Sequence, residues 1–197
     1  MTLRYSISTI PPMTQPKKDN LVWIDMEMTG LDPEKEKIIE IAVIVTDKDL
    51  NILEEGPDLV IRQPRKLLKS MDSWNKKQHK KSGLIDAVLE SKITVRKAEQ
   101  ITLDFIKKYC EPHKNSLCGN AVYHDRRFII KYMPKLNRFL HYRLVDVSTV
   151  KGLIQRWYPK HSGVPKKSES HRALSDIRES IEELQFYRKT FFREMPV

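Results

Sequence analysis

The segment Leu21-Val22-Trp23-Ile24-Asp25-Met26-Glu27-Met28 constrains this chain more than any other, because an apolar, β-rich run ends in two carboxylates. On a strand, residues i and i+2 point to one face, so Asp25 and Glu27 would project side by side. Adjacent carboxylates repel, and each stands in apolar sequence where burying charge is costly. Packing gives no reason for that arrangement. A divalent cation does, since hard cations take oxygen ligands and offset the repulsion. The plainer alternative is a strand that stops at Ile24 and leaves both acids in a solvated loop.

The surrounding pattern puts this strand in a sheet. Segments 20–24 and 37–46 are both apolar and β-rich, the second interrupted by Glu40, and Thr29-Gly30-Leu31-Asp32-Pro33 between them reads as a turn. A third strand is expected over 58–63, after a turn at Gly56-Pro57. Short loops between three strands imply antiparallel neighbours. Beyond them, helices are expected over 98–109, 126–132, 134–140, 149–157 and 171–192, with short strands over 116–118 and 143–147. Segment 160–170 has no apolar periodicity and reads as a loop. Three strands followed by alternating helices and strands predict an α/β fold, a mixed sheet flanked by helices.

At 197 residues the chain suits one domain, expected over 19–197 behind a disordered leader over 1–18. Lys and Arg number 36 against 26 Asp and Glu, a net charge of +10, which suits a polyanionic partner. Part of the excess lies in Lys66, Lys69, Lys76, Lys77, Lys80 and Lys81, interleaved with Trp74 and His79. Cations among rings, with no amphipathic apolar face, fit a nucleic acid better than a membrane. No apolar run approaches the ~20 residues needed to span a bilayer. Two cysteines, Cys110 and Cys118, match neither a disulfide framework nor a zinc site, so a reducing, cytoplasmic setting is the default.

Three further residues extend the acidic pair. Asp125 follows the small-residue loop Gly119-Asn120-Ala121 just before an expected helix, where an N-cap is the ordinary role for Asp. Asp176 falls in the first turns of the last helix, five residues after His171. Five residues turn an ideal helix by about 140°, so the two converge only if His171 precedes the helix.

As an ordered set these residues resemble the DEDD exonuclease superfamily, in the branch whose fifth residue is histidine. Asp25-Met26-Glu27 with Thr29-Gly30-Leu31 resembles its first motif, and Asn120 with Asp125-Arg126-Arg127-Phe128 its second. His171-Arg172-Ala173-Leu174-Ser175-Asp176 resembles its third. Within the superfamily the chain is similar to the oligoribonuclease family over nearly its whole length, through Met71-Asp72-Ser73-Trp74-Asn75, Lys131-Tyr132-Met133-Pro134, and His141-Tyr142-Arg143 with Asp146-Val147-Ser148-Thr149. That resemblance implies a ribonuclease H-like fold and a homodimeric 3′→5′ exoribonuclease acting on very short RNA, down to dinucleotides. It implies two divalent cations, Mg²⁺ or Mn²⁺, on Asp25, Glu27, Asp125 and Asp176, with His171 as general base. It also implies that Leu31 wedges a base, Trp74 and His79 lie near the nucleotide, Tyr142 stacks across the dimer, and Arg143 and Ser148 grip a 5′ phosphate. Ala121, Tyr123, His124 and Ser175 depart from the family pattern. Two rival readings remain: a DEDD exonuclease trimming longer single-stranded DNA or RNA, and a nuclease fold that only binds nucleic acid.

Overall fold

Strand β1 (Leu21–Met28) runs through both acids instead of stopping at Ile24, which settles the alternative of a solvated loop. The structure is a computed structural model that describes residues 16–160 and 172–193. Strand β2 (Ile38–Thr46) is buried along all nine residues and pairs antiparallel with β1, setting Asp25 opposite Ala42 and Glu27 opposite Glu40. Strand β3 (Ile52–Val60) pairs antiparallel with β2, while β4 (Leu117–Gly119) and β5 (Leu144–Asp146) add in parallel on the other side. The order is β3-β2-β1-β4-β5, so β1 is central.

The third strand starts six residues before the expected segment, at Ile52 rather than 58. Gly56-Pro57 lies inside it, where a turn was expected. Proline is tolerated there because β3 is an edge strand, and the register with β2 shifts between Ala42 and Ile44. A Cβ on Gly56 would sit 2.5 Å from the Phe105 ring, so glycine lets that ring close onto the strand.

The parallel step from β1 to β4 needs a crossover. It contains helices α1 (Arg65–Ser70), α2 (Ser73–Lys81), α3 (Leu84–Glu90) and α4 (Val95–Ile106). The first three were not anticipated from sequence. They bury a small cluster of Leu68, Met71, Leu84 and Val88 against Ile39. Helices α5 (Tyr123–Tyr132), α6 (Pro134–Phe139), α7 (Val147–Trp157) and α8 (Ala173–Phe191) follow. Helix α5 starts three residues before the expected segment, so Asp125 lies in its first turn and does not cap it. Asp146 caps α7, accepting from the Ser148 amide at 2.9 Å.

The alternation of β1 sorts its side chains between two cores. Val22, Ile24 and Met26 pack with Leu103, Ile106, Phe128 and Leu136 on one face. Trp23 packs with Ala42, Ile44, Ile177, Ile181 and Tyr187 on the other. Asp25 and Glu27 share the parity of Trp23 and therefore face α8. The loop expected over 160–170 falls outside the described residues except for Lys160, as does the leader over 1–15. Lys17, placed in that leader, is tied to the body: its amide donates to the Tyr109 carbonyl at 3.0 Å. Among the described residues no helix is long and apolar enough to cross a membrane.

Candidate active site

Asp176 is the fourth residue of α8 and meets the two β1 acids on the face they share. One oxygen from each of Asp25, Glu27 and Asp176 lies within 4.8 Å of the others. Asp125 approaches from α5. Its Oδ1 accepts the Met26 amide at 3.0 Å, between the two β1 acids in sequence, and the side chain is buried. Three of the four expected acids therefore converge, and the fourth is fixed to the same strand.

Electrostatics show what the cluster lacks. Glu27 is pushed up to about 8, first by burial, then by the charges of Asp176, Glu40 and Asp125, with Arg172 opposing. Asp125 is also pushed up to about 8, mainly by its burial. An all-oxygen donor set of mutually repelling carboxylates fits a hard divalent cation. Glu27 ordinarily loses its proton near 4.5. With a folded-state value above the unfolded one, the associated stability is fully present below pH 4.5 and is lost as pH rises through about 8. A cation that binds the ionised cluster opposes that loss. We expect the melting temperature of EDTA-treated protein to fall from about pH 6 to 8.5. The increment given by saturating Mg²⁺ should grow over the same range. At 100 times its Kd a ligand adds ~2.7 kcal/mol, about 5–10 °C for a domain of this size. An Mg²⁺ increment independent of pH would remove Glu27 from the site.

His79 forms the wall behind Glu27. Its ring is buried, with Nε2 3.0 Å from the Met28 carbonyl and Nδ1 3.8 Å from Glu27 Oε2. A carbonyl only accepts, so Nε2 carries the hydrogen. The other residues expected near substrate lie at the surface. Leu31 and Trp74 are exposed and Tyr142 is 73% exposed, so neither ring is a core ring. Arg143 Nε donates to the Tyr142 hydroxyl at 3.2 Å, and its guanidinium lies over that ring. Ser148 Oγ donates to Asp146 Oδ1 at 2.5 Å and accepts the Ala121 amide at 3.0 Å. Ala121 holds a left-handed φ of 50°, which turns that amide toward Asp146 and Ser148. Tyr123 is exposed, with the Arg127 guanidinium over its ring, and Arg127 donates to the Leu31 carbonyl at 3.3 Å. His171 lies outside the described residues.

Two groups around the site were not picked out from sequence. Buried Glu183 accepts from Asn120 Nδ2 at 3.1 Å and from the Tyr187 hydroxyl at 2.7 Å, tying the loop before Asp125 to α8. Buried Glu40 binds Arg172 at the other end of that helix. The signal for Glu40 was available, as the lone charge in an apolar interior strand. For Glu183, one acid among several on a mixed helix, there was none.

Comparison with known proteins agrees with this geometry. The family model described as Exonuclease matches residues 22–184. Human mitochondrial oligoribonuclease is 55% identical over 175 residues, covering 88% of this chain and 74% of that protein. Exonuclease I of Methylocaldum szegediense superposes with a TM-score of 0.65 at 16% identity, over 87% of this chain and only 41% of its own. Pop2p of S. pombe, solved with Mg²⁺ and Mn²⁺ bound, superposes with a TM-score of 0.62 at 14% identity, over 87% and 84% of the two chains. The distant structures establish the ribonuclease H-like exonuclease fold. With the family model spanning most of the chain and more than half of the aligned residues identical to the human enzyme, the chain belongs to the exonuclease family and, within it, to the oligoribonucleases.

Proposed function

We propose that the chain is a 3′→5′ exoribonuclease that degrades very short oligoribonucleotides, down to dinucleotides, to nucleoside 5′-monophosphates. The observation that carries the chemistry is the meeting of Asp25, Glu27 and Asp176 oxygens within 4.8 Å, in a chain 55% identical to an oligoribonuclease. Asp25, Glu27, Asp125 and Asp176 would hold two divalent cations, Mg²⁺ or Mn²⁺. Such cations, once bound, would supply Lewis acidity toward an attacking water and a leaving 3′-oxygen. The chain's own residues do the rest. Neutral His171 takes the proton of the water as general base. Asp125, anchored on the Met26 amide, keeps its carboxylate in register with β1.

Substrate binding follows from the surface residues. Leu31 and Trp74 offer apolar faces to the bases, and His79 braces Glu27 from behind. Arg143 and Ser148 bind the 5′ phosphate, and Ala121 adds no hydroxyl to that grip. Tyr142 is 73% exposed, which suits a ring that stacks in the partner of a homodimer. An apolar patch at the ends of α7 and α8, with Trp157 and Phe192 exposed, suits burial against a second copy. Residues 19–197 act as one domain. A reducing, cytoplasmic setting fits two thiols that are both free and buried.

The test is product analysis with 5′-labelled RNAs of about two, five and twenty nucleotides, with Mn²⁺ or with EDTA. Fast, metal-dependent cleavage of the dinucleotide, with the longest RNA lagging, is expected. Rapid shortening of the longest RNA while the dinucleotide survives would instead establish a general exonuclease and remove Tyr142, Arg143 and Ser148 from their roles.

A further inference from the structure

Glu40 is the single charged residue of β2 and is fully buried. Directly opposite Glu27 in the antiparallel pair, it shares the sheet face that packs on α8. Its Oε1 accepts both Arg172 Nε at 2.8 Å and Arg172 Nη2 at 2.7 Å. Its Oε2 accepts the amide of Ala173, the first residue of α8, at 3.2 Å. The first amides of a helix have no partner within it, and the N-cap residue here, Arg172, makes no side-chain cap. A carboxylate from the neighbouring strand caps the helix instead, where the helix dipole favours negative charge. One turn later, the Asp176 amide donates to the Arg172 carbonyl at 3.0 Å.

We propose that Glu40 and Arg172 are positioning residues for Asp176: their buried pair clamps the first turn of α8 to β2 and so sets where Asp176 meets Asp25 and Glu27. This rests on reading Asp176 as a metal ligand. The clamp works through the backbone, since Glu40 grips the residue before the helix and the first residue in it. Three contacts to one carboxylate fix both the rotation and the height of that turn. The Arg172 guanidinium also lies 3.9 Å from Asp58 Oδ2. It therefore places one positive charge among Glu40, Asp58 and Glu27. A ligand displaced by even 1 Å loses much of its effect on a reaction that depends on placement.

The experiment measures Mn²⁺ affinity by calorimetry, and kcat and KM on a dinucleotide, for wild type, Glu40→Gln, Arg172→Lys and Arg178→Ala. Lysine keeps the charge but lacks the fork that reaches Oε1 twice. Arg178 pairs with Glu55 further along the same helix, in an exposed contact. Glu40→Gln and Arg172→Lys should bind Mn²⁺ about 10–100-fold more weakly, the usual range for groups that orient metal ligands, with kcat falling in step and KM little changed. Arg178→Ala should match wild type. If Glu40→Gln does not fold, Arg172→Lys decides. Wild-type Mn²⁺ affinity in Arg172→Lys, or an equal loss in Arg178→Ala, overturns the clamp and leaves the metal site standing. Failure of wild type to bind Mn²⁺ overturns the metal reading itself, and the clamp with it.

Discussion

Asp176→Asn is expected to abolish measurable Mn²⁺ binding and to lower kcat by at least ~10³-fold, because cation stabilisation of the transition state is worth several kcal/mol. The substitution keeps the shape of the side chain and removes its charge. The charge of Asp176 is, after burial, the largest influence holding the Glu27 carboxyl up near 8. Its removal lets Glu27 ionise more easily, so the metal-free protein should be at least as stable as wild type above about pH 7. Loss of activity with gain of metal-free stability distinguishes a ligand from a residue that merely holds the fold. Turnover within about tenfold of wild type in saturating Mn²⁺ would falsify the assignment, since a lost ligand costs far more than one factor of ten.

The residues that made the site legible in sequence are those whose neighbours set a simple period. Asp25 and Glu27 lie on a strand of strict alternation, and parity alone placed them on one face with Trp23. Helix α8 carries apolar residues at helical spacing, which put Asp176 in its first turns. Strand β3 failed for a physical reason. Gly56-Pro57 has the chemistry of a turn, but an edge strand tolerates proline, and the approach of Phe105 demands glycine. Helices α1 to α3 were hidden because they bury only a few residues each, and the remaining faces of α1 and α2 are lysine-rich.

The same limit applies within the site. Asp125 has the sequence signature of an N-cap, yet its carboxylate serves the amide of a residue 99 positions away. Glu40 and Glu183 bond to partners on other elements, and local pattern carries no information about such partners. His79 shows the converse. The family resemblance placed it near the nucleotide without saying what its ring meets, and helix α2 turns that ring inward onto Met28 and Glu27. Periodicity gives the face of an element. What the face meets is decided by tertiary packing.

His171→Ala is expected to lower kcat by ~10²–10⁴, the usual contribution of a general base, while leaving Mn²⁺ affinity unchanged. His171 is bonded to Arg172, which the Glu40 pair holds at the entrance to α8. In sequence it stands two residues before the first residue of the helix that carries Asp176. A histidine accepts a proton only when neutral, so wild-type kcat should rise with pH as His171 loses its proton and then level. In saturating Mn²⁺ the carboxylates are ionised throughout and contribute no limb of their own. That rising limb is thus the signature of the base, and His171→Ala should lack it. If the variant loses Mn²⁺ affinity as Asp176→Asn does, His171 is a ligand and the proton leaves the water by another route. If the limb persists, the titrating group lies elsewhere, and the half-buried His124 beside Asp125 becomes the next to replace.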